Sequence, residues 1–435
     1  MKGSIVRPHI GVQLRPGVQA DPVPHWMQII RDKAVAAESL HPAIDAVLRR
    51  AGVPVWATRE YAPSSGNWSD EELRAGLDRA YRIILREGSG IPPGLVEEIS
   101  LLPVVEEARP GRIASAELPP ARAVALGAKT DELSRQAIYL DDAHRFSRGD
   151  PEIVVAVLDT GVCLTHPELR ACLVKGQDFV DIIDGHAEFV GDFLDLDESP
   201  DDEVGHGTHV AGIIGGAGVA MPSGVAPRCR LMPVRVLGAM KRGEKRVGAG
   251  LVDNINAGVK WAVDHGADVI NMSLGVQHID GGLPHQEVVE YARLKGVTIV
   301  AASGNDGTEG IYYPGGFPSV ITVGATDTSG NVAAFSTYGR QVSLIAPGTD
   351  VYSTYLENDY AFSSGTSHAA PFVSGAVALL KSHARSRGRR LTDGQVKSVL
   401  KHTADKAGRA FKDRKAGYGR LNLSDAMRLL EHSLN

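Results

Sequence analysis

At 435 residues the chain is long enough for two domains, or for one large domain with an appendage. Its 43% hydrophobic and 23% charged residues are ordinary for a globular protein, and a net charge of −6 gives no general case for binding nucleic acid or an anionic membrane. Cys163, Cys172 and Cys229 are too few, and odd in number, for a disulfide framework, which favours a reducing compartment. No run approaches the ~18 uninterrupted apolar residues of a membrane span. MKGSIVRPHIGVQLRPGV holds no signal-peptide core, so the expected location is cytoplasmic, with export by an unconventional route as the alternative.

Residues 1–114 read, in order, as the strand HIGVQLRPGV, the helix HPAIDAVLRRAG, the strands VPVWATREY and RAYRIILREG, the helix PPGLVEEISLLP and a last strand VVEEARPGRI. This β-α-β-β-α-β order is that of a small ferredoxin-like α+β domain. Residues 115–137 read as a linker. The stretch ASAELPPARAVALGAKTDELS is Ala- and Pro-bearing and weakly patterned, and is expected to be exposed.

From 138 to 435 the period changes. IVVAVLD (153–159) is a short apolar run rich in β-branched residues, the pattern of a strand buried on both faces. HVAGIIGGAG reads as a closely packed helix, RLMPVRVL (230–237) as a strand and LVDNINAGVKWAVDHG (251–266) as a helix. ADVINMSL (267–274), GVTIVAAS (296–303) and SVITVGAT (319–326) continue the strands, with the helix HQEVVEYARLKG between two of them. Alternation at this interval implies an α/β fold, an open parallel sheet with helices on both faces.

In such a sheet, ligands sit beyond the carboxyl ends of the strands. The first strand ends there in Asp159, a residue costly to desolvate without a partner and otherwise a turn aspartate. DDEVGHGTHVAG sets His206 and His209 at a helix start; the H-x-x-H spacing lacks the glutamate of H-E-x-x-H, so metal binding is disfavoured. Asn305 follows a strand in GND, where it is either a turn residue or an amide donor for an oxyanion. SSGTSHAAPFVSGAVALL places Ser367 where a buried helix begins, as a cap or as a nucleophile. Jointly these residues satisfy what a reactive serine needs: an adjacent imidazole base, and a carboxylate on the base's other nitrogen.

The blocks VLDTGV (157–162), GHGTHVAG (205–212), AASGNDG (301–307) and SSGTSHAAP (363–371) resemble the subtilisin family of serine proteases, in that family's Asp, His, Ser order. GYGRLNLSDA resembles its closing block, so the likeness runs from about 138 to 428. The resemblance implies an endopeptidase with Asp159, His206 and Ser367 as triad, and Asn305 with the Ser367 N–H as oxyanion hole. Ser273, Leu274 and Gly275, with Ala302, Ser303 and Gly304, would hold protein or peptide substrates as an extended strand. It also makes residues 1–114 similar to an inhibitory propeptide, an intramolecular partner of the cleft. Neither nucleic acid nor membrane is expected as a partner. The alternative is a catalytically silent peptide-binding protein of the same fold.

Three features depart from the family. His368 follows the nucleophile where methionine is common, and reads as packing. IIGGAGVAMPS has no Asn or Asp, so the calcium-binding loop found there in many members is in doubt. An acidic insert precedes His206, and its Asp192, Asp195, Asp197, Asp201 and Asp202 could hold calcium, although a solvated surface also explains them. The chemistry itself requires no cofactor.

Overall fold

The computed structural model describes residues 8–87, 90–116, 122–123, 133–181, 189–192, 197–243, 245–278, 282–408 and 410–434. The first unit is a four-stranded antiparallel sheet in the spatial order Val55–Arg59, Ala80–Leu85, His9–Leu14, Val105–Pro110. The helices Pro42–Arg50 and Leu95–Ser100 occupy the expected places, and Trp26–Arg31 and Asp70–Ala75 are additional. Strand alternation explains its two faces. Ile10, Val12, Leu14, Ile83 and Leu85 enter one core with Ile44, Val47 and Ile99. The intervening His9, Arg82 and Arg109 meet the second unit instead.

That meeting is made of buried charge. His9 Nε2 lies 2.6 Å from Asp253 Oδ2, Arg109 pairs with Glu287 at 2.6 Å, and Lys260 pairs with Glu72 at 2.8 Å. Tyr61 donates its hydroxyl to Glu287 at 2.9 Å. Burial would push the Glu287 carboxyl up, but Arg109 more than reverses this and holds it below the usual range. Asp253 and Glu287 belong to the helices Val252–Asp264 and Gln286–Leu294, so the polar face of the small sheet sits on these two helices.

The second unit is built on a seven-stranded parallel sheet, ordered Val342–Pro347, Ile321–Thr326, Thr298–Ala302, Val269–Met272, Val154–Asp159, Arg230–Arg235, Gln177–Asp178. Both faces are covered, which is why the strand sequences are almost continuously apolar. Val155 and Val157 pack with the helices His206–Gly215 and Thr366–Ser386. Ala156 and Leu158 pack oppositely, against Ile255, Val259, Val288 and Tyr291. The outer strands Gln177–Asp178 and Val342–Pro347 were not anticipated from sequence.

One expectation is corrected. The stretch expected as an exposed linker begins as a strand, Ile113–Ala116, with Ala114 and Ala116 buried. It pairs antiparallel with Lys245–Leu251, and Ser115 bridges to Gly275 on its other side. Its Ala-rich composition carries no strand signal because backbone pairing on both sides, and not side-chain pattern, fixes it. Arg122–Ala123 pairs with Tyr360–Ser363 and Leu133–Gln136 is helical; 117–121 and 124–132 lie outside the described residues.

The loop that follows the helix His206–Gly215 closes on a carboxylate. Glu168, 1% exposed, accepts the backbone N–H groups of Gly218 (2.7 Å), Val219 (3.0 Å), Ala220 (2.6 Å) and Met221 (3.3 Å). Here the loop turns donors inward to an anion, where a cation site would need oxygens. Glu168→Ala strands these donors and is expected to lower stability by about 3 kcal/mol in urea melts. A change below about 1 kcal/mol would show that the loop closes without it.

Candidate active site

The helix Thr366–Ser386 is buried from Thr366 to Ala384, and Ser367 is its second residue. Its start is capped from another segment, because Asn305 Oδ1 accepts the Thr366 N–H at 2.8 Å. Ser367 is therefore not the cap. Pro371, inside the helix, has no N–H to give the Ser367 carbonyl four residues back. Ser273 Oγ donates to that carbonyl at 2.7 Å, and Ser367 Oγ donates in return to the Ser273 carbonyl at 3.0 Å. The nucleophile candidate is thus tied to the end of the strand Val269–Met272.

Asp159 ends its strand fully buried, and His206 opens its helix, also fully buried. His206 Nδ1 lies 2.5 Å from Asp159 Oδ1, which also accepts the Thr160 N–H at 2.8 Å. His206 Nε2 has no hydrogen-bond partner among the described residues. Burial alone would lower the His206 pKa. The charge and hydrogen bond of Asp159, with the charge of Asp202 behind them, outweigh it and raise the pKa above its ordinary value.

Asn305 spends its carbonyl oxygen on Thr366, through N–H and hydroxyl (3.0 Å), which leaves its amide N–H groups to donate elsewhere. Thr366 Oγ1 also accepts the Gly304 N–H at 3.2 Å, tying the two segments together. Ser273, Leu274 and Gly275 follow one sheet strand, and Ala302 ends its neighbour with Ser303 and Gly304 just beyond, so both sets stand at the carboxyl edge of the sheet, where Ser273 bonds Ser367. Contacts thus join Asp159 to His206 in one set, and Ser367 to Ser273 and Asn305 to the neighbouring Thr366 in another.

Asp202 has a role the sequence did not reveal. It is buried and accepts the hydroxyls of Thr160 (2.8 Å) and Thr208 (2.7 Å) and the N–H groups of Val204, Gly205 and Thr208 (each 2.9 Å). It holds the turn before His206, which leaves it no free oxygen for a cation. Arg235, buried, gathers other acids of this region: Asp178 at 2.5 Å, Glu203 at 3.0 Å and Asp192 at 3.7 Å. Asp201 accepts the Leu164 N–H, Asp197 accepts the Ser199 N–H, and Asp195 lies outside the described residues. Among the described residues no group of three or more His, Cys, Asp or Glu could hold a metal ion.

His209 shares its Nε2–H between the Val351 and Ala361 carbonyls, both at 3.1 Å, and burial pushes its pKa down to about 3. His368 is buried with its ring 4.5 Å from that of His209 and 5.6 Å from that of His206. Burial, then the two neighbouring imidazoles, hold it well below its ordinary value, and it packs as a neutral ring.

Residues 150–419 match the model of the subtilase family. The chain is 36% identical to a thermophilic serine proteinase of Bacillus sp. (strain AK1), over 77% of this chain and 75% of that protein. It is 38% identical to thermitase of Thermoactinomyces vulgaris (58% of this chain, 81% of the relative) and 39% identical to subtilisin Savinase of Lederbergia lenta (61% and 88%). The chain belongs to the subtilase family and is a subtilisin-like serine endopeptidase. No helix among the described residues is long and apolar enough to cross a membrane.

Because the Asp202 charge raises the His206 pKa, Asp202→Asn is expected to move the imidazole midpoint to lower pH, read from its NMR resonances. A midpoint that stays or rises would leave Asp159 as the sole electrostatic partner.

Proposed function

We propose that Ser367, His206 and Asp159 carry out the reaction of this endopeptidase and that residues 1 to about 114 are its inhibitory propeptide. The observation that carries the first part is the buried 2.5 Å Asp159–His206 hydrogen bond, with the other imidazole nitrogen left unpartnered. Ser367 Oγ turns from the Ser273 carbonyl to His206 Nε2 and attacks the substrate carbonyl as the imidazole takes its proton. Asp159 stabilises the imidazolium and fixes its tautomer. Asn305 and the Ser367 N–H receive the oxyanion, which gains from the helix N-terminus behind it. The imidazolium protonates the leaving amine, and water releases the acyl group by the same steps in reverse order. This scheme draws on the chain's own side-chain and backbone groups and on water.

Substrate is proposed to bind as an extended strand between Lys245–Leu251 and the Ser273–Gly275 edge. Ile113–Ala116 supports this, since it takes that position through pairing on both sides. The same contacts would make the first unit an inhibitor, with its last strand feeding the cleft and its polar face docked on two helices. The cut is expected within or just after Ile113–Ala116. Such a domain would also favour folding, because a parallel sheet depends on non-local contacts that form slowly.

Ser367→Ala is expected to abolish hydrolysis and leave the chain at full length by mass spectrometry. Self-cutting that persists in the pure variant would assign the chemistry elsewhere. Asn305→Ala is expected to lower kcat by about 10²–10³-fold at nearly constant KM, the loss known for one such donor in a subtilisin. A tenfold rise in KM at unchanged kcat would make it a binding residue. Residues 115–435 expressed alone should refold slowly, and residues 1–114 added in trans should speed refolding and then inhibit. Unaided folding to full activity, with no inhibition by the added domain, would end the propeptide reading.

A further inference from the structure

Among the described residues, the ring of Tyr312 lies between the edges Ser273–Gly275 and Ala302–Gly304. Tyr312 belongs to the short strand Tyr312–Tyr313, paired antiparallel with Val276–Gln277. A Cβ placed on Gly275 would stand 3.2 Å from Tyr312 Cβ, and one on Gly304 would stand 2.6 Å from Cδ2 and Cε2 of the same ring. The ring therefore touches both edges. Its hydroxyl donates to Asp306 Oδ2 at 2.8 Å, and Gln277 Nε2 donates to the same oxygen at 3.2 Å. Asp306 is itself anchored by its N–H to Thr337 Oγ1 at 2.9 Å. Burial, then the Asp306 hydrogen bond, push the phenol up to about 12, so it stays a neutral donor at working pH.

A peptide lying as a strand on the Ser273–Gly275 edge sends alternate side chains to the same side. The residue whose carbonyl meets Ser367 must find room for its side chain between the two edges. We propose that Tyr312, held by Asp306 and Gln277, closes this gap and makes the enzyme select short side chains (Ala, Ser or Gly) on the acyl side of the cut bond. This deepens the proposed function and rests on it. Part of the segment the chain itself lays along this edge, Ala114-Ser115-Ala116, carries only short side chains. A tyrosine that merely packed the two-stranded ribbon would leave selectivity untouched.

The test uses the full-length chain, incubated until its activity is constant, and peptides that vary only at that position. Wild type is expected to cleave after Ala at least tenfold more efficiently, in kcat/KM, than after Phe or Leu. Tyr312→Ala should narrow that ratio at least tenfold by improving the large side chains. Tyr312→Val, which keeps a strand-forming residue, should act in the same direction. Tyr312→Phe retains the ring and should keep the selectivity of wild type. A wild-type preference for Phe or Leu overturns the inference, as does a ratio unchanged within twofold in an active Tyr312→Ala or Tyr312→Val enzyme. Cleavage that persists in Ser367→Ala would instead overturn the proposed role of Ser367, and is read separately.

Discussion

A fully buried carboxylate is the constraint around which the catalytic unit is arranged. Asp159 has no exposed surface, and an unpaired ion in that position would be several kcal/mol unfavourable. His206 Nδ1 and the Thr160 N–H supply its partners, so the helix that carries His206 must come unusually near the turn after the strand. Gly207 permits the approach: a Cβ there would lie 2.1 Å from the Gly161 carbonyl oxygen. Its N–H goes to Thr160 Oγ1 at 2.9 Å, and Asp202 fastens the preceding turn to the same threonine. Gly207 and Thr208 of GHGTH, with Thr160 after the strand, are thus the means by which Asp159 and His206 can share a buried site.

Positioning of Ser367 follows from a second local defect. Pro371 leaves the Ser367 carbonyl without its helical donor, and Ser273 fills the vacancy. The same serine accepts the Ser367 hydroxyl on its own carbonyl. Residues contributed by a strand end, a loop and a helix start are therefore coupled through short polar contacts, backed by a helix that is buried over most of its length. The small N-terminal sheet adds a further layer, using the strand face that its own core leaves free to bring His9, Arg82 and Arg109 to the catalytic unit. Arg82 binds Glu60 within its own unit at 2.7 Å and approaches Asn254 across the boundary at 3.4 Å. An interface of paired charges is costly to break one partner at a time, which suits specific docking.

Much of this was legible in the sequence where local chemistry and position agree. IVVAVLD announces a doubly covered strand, and an aspartate at its end has few cheap explanations. Asp202 was hidden because an acid within an acidic run looks like solvated surface; only folding shows five donors converging on it. Ile113–Ala116 was hidden for a different reason, since a strand of Ala and Ser takes its conformation from the edges that flank it. Gln177–Asp178 is too short for any periodicity. Tyr312 lies in a loop-like stretch, and its contact with Gly275 and Gly304 depends on three segments meeting. The capping reading of Ser367 was reasonable locally and is displaced by Asn305, which caps the helix from across the site.

The central claim is that the charge and hydrogen bond of Asp159, against the effect of burial, make His206 the base proposed to activate Ser367. Labelling by a fluorophosphonate, followed by peptide mapping, addresses it directly, because an ordinary serine hydroxyl does not react. The account predicts one modified residue, Ser367, with labelling lost in His206→Ala. Undiminished labelling of Ser367 in His206→Ala, or a label on another residue alone, would contradict it.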